Sequence, residues 1–376
     1  MNHNLIQLKE KPWSDCWSRI QIKVDCMIKQ LGERSPHVSV SGIYDDDALD
    51  WWTSGFWPGM LWILNDMTGK AIYRDAAWSW DERIEQCFMR DNRFHHDVGF
   101  QFLATAVIKY KLTGDTDAKR RGLQAANILA GRFNLAGGFI RAQNQASRPG
   151  ASIIDTMMNL SILFWASKEL GDPRFAQIAR AHADTVLQHT IREDGSSHHI
   201  TIFDADTGNV EEYVAGQGYS PTSSWSRGQA WAIYGMANTY KYTGDVKYLS
   251  AAKRTAHYFM SCLPDDFVAY WDFRLPDFTH EPRDTSASSI AASGLLEIAA
   301  QVPAEESWIY RTAAESILLS LTHNYSTLDQ PEYEGILLEA TGHKPAGRDI
   351  QVSLIYGDYY YVEAIAKLVG WNSRIF

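Results

Sequence analysis

The sequence predicts an all-α fold: an (α/α)6 barrel, six helical hairpins closed into a double ring and forming one domain over residues 1–376. Three observations predict it. A helix of small and aromatic residues recurs six times. Five of the six lead through a compact turn into a second helix. The two helices of a hairpin differ in polarity.

The first members begin near Trp52 (WTSGFWPGMLWIL), Asp97 (DVGFQFLATAVIKY), Ser152 (SIIDTMMNLSILFWASKEL), Arg227 (RGQAWAIYGMANTY), Thr285 (TSASSIAASGLLEIA) and Gly357 (GDYYYVEAIAKLV). These starts lie 45, 55, 75, 58 and 72 residues apart. The turns begin at Asp66, Lys111, Glu169, Lys241 and Ala299. In all but the last, a glycine can close the first helix in the left-handed conformation. Asp, Thr or Pro then opens the next helix in most of them. The sixth unit runs out of chain after LVGWNSRIF, so the helix near Trp13–Leu31 is its expected outer partner.

The stretch from Ile153 to Trp165 is apolar nearly all round, which places it inside. From Phe175 to His189, charged and apolar residues alternate at helical spacing, which leaves a wet face outside. The return connections are long, roughly Asn134–Ala151, Arg192–Ser226, Leu263–Asp284 and Ser326–Tyr356. Their aromatic and polar content, as in FVAYWDF and HHITIFD, reads as ordered hairpins rather than linkers. They should gather over the N-termini of the inner helices. Unpaired N–H groups there suit a carboxylate or sulfate.

Composition narrows the function. A net charge of −10 argues against a nucleic-acid binder. It still permits an anionic small substrate held by a few local cations. Fourteen tryptophans point to an aromatic, sugar-sized cleft or to bulky core packing. The four cysteines form no CxxC pair and no ligand spacing, and scattered thiols suit the cytoplasm. The leading stretch MNHNLIQLKEKPWSD has no apolar h-region, and no run approaches the ~18 apolar residues of a membrane span. No Gly-rich phosphate loop, GxSxG elbow or dinucleotide fingerprint occurs, and no cofactor is expected.

Two carboxylates stand out. Asp155 lies among Ile153, Ile154, Met157 and Met158, where burial would raise its pKa toward that of a general acid. Asp97, in FHHDVGFQF, also opens an inner helix. Either could be a plain N-cap. A carboxylate pair across a cavity is also the usual equipment for glycosidic chemistry. His95 with His96, and His198 with His199, invite a metal reading. Adjacent side chains are expected to diverge and no HxxxH spacing occurs, so no metal is expected. Arg227 could grip a carboxylate in a fork or pair with a neighbouring Asp. Gln217, Gln229 and Trp231 accompany it, and Trp52 could stack on a sugar or fill core. Arg283, Asp284 and Asp358 read as caps and rim ion pairs.

The pieces WTSGFWPGMLW, HHDVGF, IIDTMMNL, HHITIFD, GQG, SSWSRGQAWAIYG, YWDF, PRDTSAS and IYGDYYYVEA, in that order from about residue 40 to 365, resemble the unsaturated glucuronyl hydrolases of glycoside hydrolase family 88. The resemblance implies an (α/α)6 barrel. It also implies hydration of the C4=C5 vinyl ether of an unsaturated uronic acid left by polysaccharide lyases. Asp155 aligns with the family's acid/base and Asp97 with its second essential aspartate. His199, Gln217 and Arg227 match substrate-contacting positions, with Trp52 and Trp231 stacking around the sugar. His96, in the HHDVGF piece, joins them.

The sequence departs from the pattern at Trp51 and Ser54, where acidic residues are common, and at Gly216, where members can carry His. The loop ATGHKPAGRDIQVSL (340–354) is its own, and His343, Lys344 and Arg348 there could bind an anionic group of the second sugar. The implied partner is an unsaturated uronic-acid di- or oligosaccharide, with no nucleic acid and no membrane, for a cytoplasmic monomer or homodimer. Open alternatives are an unsaturated rhamnogalacturonyl hydrolase, a glycosidase for saturated sugars, a toroid sugar epimerase or isomerase using His96 and His199, and a sugar-binding protein without activity.

Overall fold

The computed structural model describes residues 12–90, 92–372 and 375–376. Residues 1–11, most of the leading stretch read for a secretory signal, lie outside it. Helix α1 (Trp13–Leu31) is followed by the hairpin β1 (Ser39–Val40) and β2 (Ile43–Tyr44), then α2 (Phe56–Thr68), α3 (Ala71–Ala77) and α4 (Trp80–Glu85). The second inner helix runs as α5 (Val98–Phe102), a π turn over Leu103–Val107, and α6 (Ile108–Thr113). Next come α7 (Thr116–Ala130), β3 (Phe133–Asn134), β4 (Phe139–Ile140), β5 (Ala151–Ile153), α8 (Thr156–Leu170) and α9 (Pro173–His189). The second half holds β6 (Ile200–Phe203), β7 (Val210–Val214), α10 (Ser226–Thr243), α11 (Val246–Ser261), α12 (Thr285–Gln301) and α13 (Ala304–Asn324). It ends with β8 (Ala340–His343), β9 (Arg348–Val352) and α14 (Ile355–Leu368).

The inner ring is α2, α5–α6, α8, α10, α12 and α14. Each packs on the next, and α14 returns to α2. The outer ring is α3–α4, α7, α9, α11, α13 and α1, and α1 packs on α14, as the unpaired sixth unit requires. Burial follows this division. Every residue of α8 from Thr156 to Ala166 is buried, whereas α9 buries only the face carrying Phe175, Ala179, His182, Ala183 and Val186.

The turns use the expected chemistry. Gly69, Gly114, Gly171 and Gly244 close their helices with φ between 65° and 76°. Asp115, Asp172 and Asp245 then accept backbone N–H bonds as N-caps of α7, α9 and α11.

Three of the four long returns carry antiparallel strands, and Leu263–Asp284 is tied instead by single bridges from Trp225 to Asp272 and from Tyr270 to Arg283. The strands form the β3–β4 and β8–β9 hairpins and the three-stranded sheet β5–β6–β7. No described helix is long and apolar enough to cross a membrane.

Asp358 corrects one expectation. It sits inside the first turn of α14 rather than capping it, and its carboxylate ties that helix to two loops. It accepts from the Tyr44 hydroxyl at 2.7 Å and from the backbone N–H groups of Ile336 and Leu337, both at 2.8 Å. Burial pushes Asp358 up to about 6, and these three donors pull it back toward ionisation. Asp358→Ala orphans three buried donors. The urea-unfolding midpoint should therefore fall by an amount worth roughly 3 kcal/mol or more.

Candidate active site

A cavity of about 690 Å³ opens at the rim where the inner helices begin. Five of the six inner helices supply its wall near their N-terminal ends: Trp51 and Trp52 before α2, Asp97 at α5, Asp155 at α8, Trp225, Arg227 and Trp231 at α10, and Tyr356 at α14. The return loops add His199, Gln217, His343, Arg348 and Asp349 from one side and Gln143, Asn144 and Gln145 from another. This size suits a di- or trisaccharide-sized ligand.

Asp97 and Asp155 both occupy the N-cap position of their helices, and neither side chain caps. The contrast with Asp284 is direct, because its carboxylate accepts from Ser286 and Ala287 N–H at the start of α12. At α5 and α8 the carboxylates turn into the cavity instead. Asn159, one turn into α8, holds the Asp97 carboxylate in place. Its Nδ2 donates to Asp97 Oδ1 at 3.0 Å, and its Oδ1 accepts from Phe100 N–H at 2.8 Å. The residue facing it must be glycine. A Cβ on Gly99 would lie 2.6 Å from Asn159 Oδ1, so any side chain there would drive α5 and α8 apart.

Burial governs the electrostatics. It lifts Asp155 to about 7, against an opposing pull from the Arg227 charge. Asp97 is raised well above the carboxylate range, by burial first and by the neighbouring Asp155 second. Burial thus favours the protonated form of each, and the Asp155 charge further opposes ionisation of Asp97. His199 faces Asp155 with Nε2 3.8 Å from Oδ1. Its Nδ1 is held by the loop, 3.0 Å from the Ala215 carbonyl and 2.9 Å from Gln217 N–H. Burial keeps this imidazole neutral, pushed down to about 3.

Arg227 is a pairing arginine. Its Nη1 donates to Asp284 Oδ2 at 2.8 Å and to Thr341 O at 2.6 Å. Its Nη2 donates to Gln217 Oε1 and Gly342 O, both at 2.7 Å. The four terminal N–H groups are thus taken, and the guanidinium lies 4.4 Å from the Trp225 ring. It acts on the cavity through its charge, and no free fork remains. Asp284 pairs with Arg227, whereas its sequence neighbour Arg283 pairs with Asp266 at 3.1 Å.

Trp52, His96, Asp97, Asp155, His199, Gln217, Arg227, Trp231 and Arg348 all line the cavity. Lys344 does not; it turns to Glu281 at 3.4 Å. His198 is stacked on Tyr213 at 3.7 Å and bonded by Arg192, outside the cavity. His95 and His96 do not diverge. Their rings stack at 5.0 Å, and both point nitrogen at Asp97 Oδ2, from 3.6 and 3.4 Å.

Sequence reasoning missed Asn159, His37, Trp225 and Tyr356. Asn159 carried a usable signal, since it lies four residues after Asp155 on the same helical face. Tyr356 packs on Trp52 at 4.9 Å, and its place immediately before GDYYY was also legible. Nothing in the local pattern marks His37.

Two buried carboxylates with raised pKa values over an aromatic, sugar-sized cleft fit a glycoside hydrolase on a helical toroid. The profile of Glycosyl Hydrolase Family 88 matches residues 24–375, and the chain belongs to that family. It is 38% identical over 354 residues to the unsaturated glucuronyl hydrolase of Bacillus sp. (strain GL1), covering 91% of this chain and 92% of that protein. The crystal structure of the Bacillus sp. GL1 unsaturated glucuronyl hydrolase superposes with a TM-score of 0.90 at 36% identity, covering 94% of this chain and 96% of that one. The unsaturated chondroitin disaccharide hydrolase of Streptococcus pyogenes serotype M1 is 34% identical, covering 85% and 82%. A solved unsaturated glucuronyl hydrolase specific for heparin superposes with a TM-score of 0.87 at 30% identity, covering 93% and 96%.

Asp155 should cost stability as pH rises. Its pKa is raised from 3.8 to about 7, so the folded chain holds a proton that the unfolded chain releases. Stability is full below about pH 4 and is lost progressively up to about pH 7. Asp155→Asn removes this loss. Its thermal midpoint should exceed that of the natural chain at pH 8, by at most about 4 kcal/mol in stability, and the gap should close toward pH 4.

Proposed function

We propose that the enzyme removes the 4,5-unsaturated uronic acid from the non-reducing end of lyase-generated oligosaccharides by hydrating the C4=C5 bond. The observation that carries this reading is Asp155: a buried carboxylic acid lifted to about 7, with its side chain free of any capping bond. The vinyl ether is electron-rich at C4. Asp155 gives its proton to C4, and the charge that develops at C5 is shared with the ring oxygen. The resulting Asp155 carboxylate takes a proton from the water that adds to C5. The hemiketal then opens and releases the neighbouring sugar.

Burial and Arg227 divide the work on Asp155. Burial keeps the acid protonated before the reaction, and the buried Arg227 charge stabilises the carboxylate formed during it. Asp97, anchored by Asn159, sets the charge beside Asp155. In this reading Trp52 and Trp231 flank the sugar ring, while His96, His199 and Gln217 bond to its hydroxyl and carboxylate groups. The four cysteines are unpaired, which supports a reducing, cytoplasmic setting downstream of imported lyase products.

The second sugar would meet the β8–β9 hairpin. Arg348 is exposed at the cavity mouth, and Lys344 is held by Glu281. We assign recognition of an anionic group on that sugar to Arg348. Arg348→Ala should raise KM about fivefold for a sulfated disaccharide, worth ~1 kcal/mol, and leave an unsulfated one nearly unchanged. Lys344→Ala should alter neither.

The reaction itself is tested by ultraviolet absorbance, since hydration removes the conjugated C=C–COOH band. The band should decay with the natural chain, and Asp155→Asn should slow the decay by roughly 10³-fold or more. The kcat/KM profile should fall above about pH 7 as Asp155 ionises. A band that persists while free sugar is released would assign the protein to ordinary glycosidic cleavage.

A further inference from the structure

The turn ahead of α5 brings three potential ligands together. Asp97 Oδ2 lies 3.6 Å from His95 Nδ1 and 3.4 Å from His96 Nε2, and one ligand atom from each of the three residues lies within 4.8 Å of the others. A tetrahedral Zn²⁺ with bonds of about 2.0–2.1 Å sets its ligand atoms about 3.3 Å apart. Two of the three edges are thus already near that length. Two imidazole nitrogens and one carboxylate oxygen suit Zn²⁺, Co²⁺ or Ni²⁺ rather than Mg²⁺ or Ca²⁺.

The surroundings are arranged like the outer layer of a metal site. The second nitrogen of His96, Nδ1, lies 2.7 Å from Thr156 Oγ1, which fixes the ring. Asp97 Oδ1 is occupied by Asn159, so Oδ2 is the oxygen left to ligate, while His95 Nδ1 accepts the Asp97 backbone N–H at 3.3 Å, a bond that an ion would have to replace. All three residues line the cavity, and the His95 side chain is 25% exposed, so an ion can arrive from solvent. Among the described residues no other trio of His, Cys, Asp or Glu converges in this way.

We propose that His95, His96 and Asp97 form a divalent transition-metal site whose occupation switches the enzyme off. The inhibitory part rests on the function proposed above. An ion held on Asp97 Oδ2 occupies the stretch of cavity wall that His96 and Asp97 would otherwise present to the sugar. The ion thereby intrudes on the space of the sugar.

The test begins with Co²⁺ added to the chelator-treated chain. One equivalent should develop the intense visible bands of four- or five-coordinate cobalt, and X-ray absorption of the Zn²⁺ form should show two imidazoles and one carboxylate oxygen. His95→Phe should lose the cobalt bands. Zn²⁺ should inhibit turnover reversibly, with activity restored by EDTA. In the activity that His95→Phe retains, half-inhibition should need about 100-fold more Zn²⁺.

A pale octahedral cobalt spectrum, or half-inhibition unmoved in His95→Phe, overturns the site. An enzyme inactive after EDTA treatment and revived by Zn²⁺ overturns the inhibitory role. Because the spectra need no substrate, cobalt binding without turnover of any unsaturated sugar would refute the proposed reaction and leave the metal site standing.

Discussion

The proposed chemistry of this protein depends on desolvation of one carboxyl group, that of Asp155. In the proposed reaction Asp155 can serve as the acid because the ring closes over it, and Arg227 moderates the effect of that burial. Arg227 is close enough to ease ionisation when the reaction demands it. Its four terminal N–H bonds, to Asp284, Gln217 and two carbonyls, prevent it from collapsing into a direct ion pair with Asp155. Such a pair would lower the acid's pKa and end its role as a donor.

The toroid supplies what a single helix could not. Six inner helices present their N-terminal ends to one rim, so groups far apart in sequence meet over one cavity. The contact between α5 and α8 is the tightest example. Gly99 allows Asn159 to approach, Asn159 fixes Asp97, and the Asp155 charge opposes ionisation of Asp97. Asp284 performs the equivalent service at α12 and α10, capping one helix while pinning Arg227 from the next. The outer helices carry ordinary Asp caps and glycine stops, and their work is to hold the inner ring closed.

The ring itself was legible because its signals are local. Small-aromatic helices, Gly-Asp turns and a change from all-round apolar to amphipathic character can each be read within fifteen residues. The two aspartates were legible from their apolar surroundings, and the family resemblance gave them roles. The partners of side chains across the cavity were not legible. Nothing local says that Arg227 spends its fork on Asp284 and two carbonyls of the β8 strand, or that Lys344 turns to Glu281 while Arg348 faces the cavity. The convergence of His95 and His96 escaped for a similar reason. Spacing rules assume regular helix or strand, and these residues lie just where the chain turns into α5. Asp97 and Asp155 show the same limit: an aspartate at a helix start reads as a cap, and only the three-dimensional site reveals that neither side chain caps.

The most direct test of this account is the titration of Asp155 itself, followed by carbon NMR of aspartate labelled at the side-chain carboxyl. The account predicts a resonance with a midpoint near 7, absent from Asp155→Asn. If the resonance that Asp155→Asn removes titrates below about pH 5, Asp155 is an ordinary carboxylate and the proton donor must be sought elsewhere.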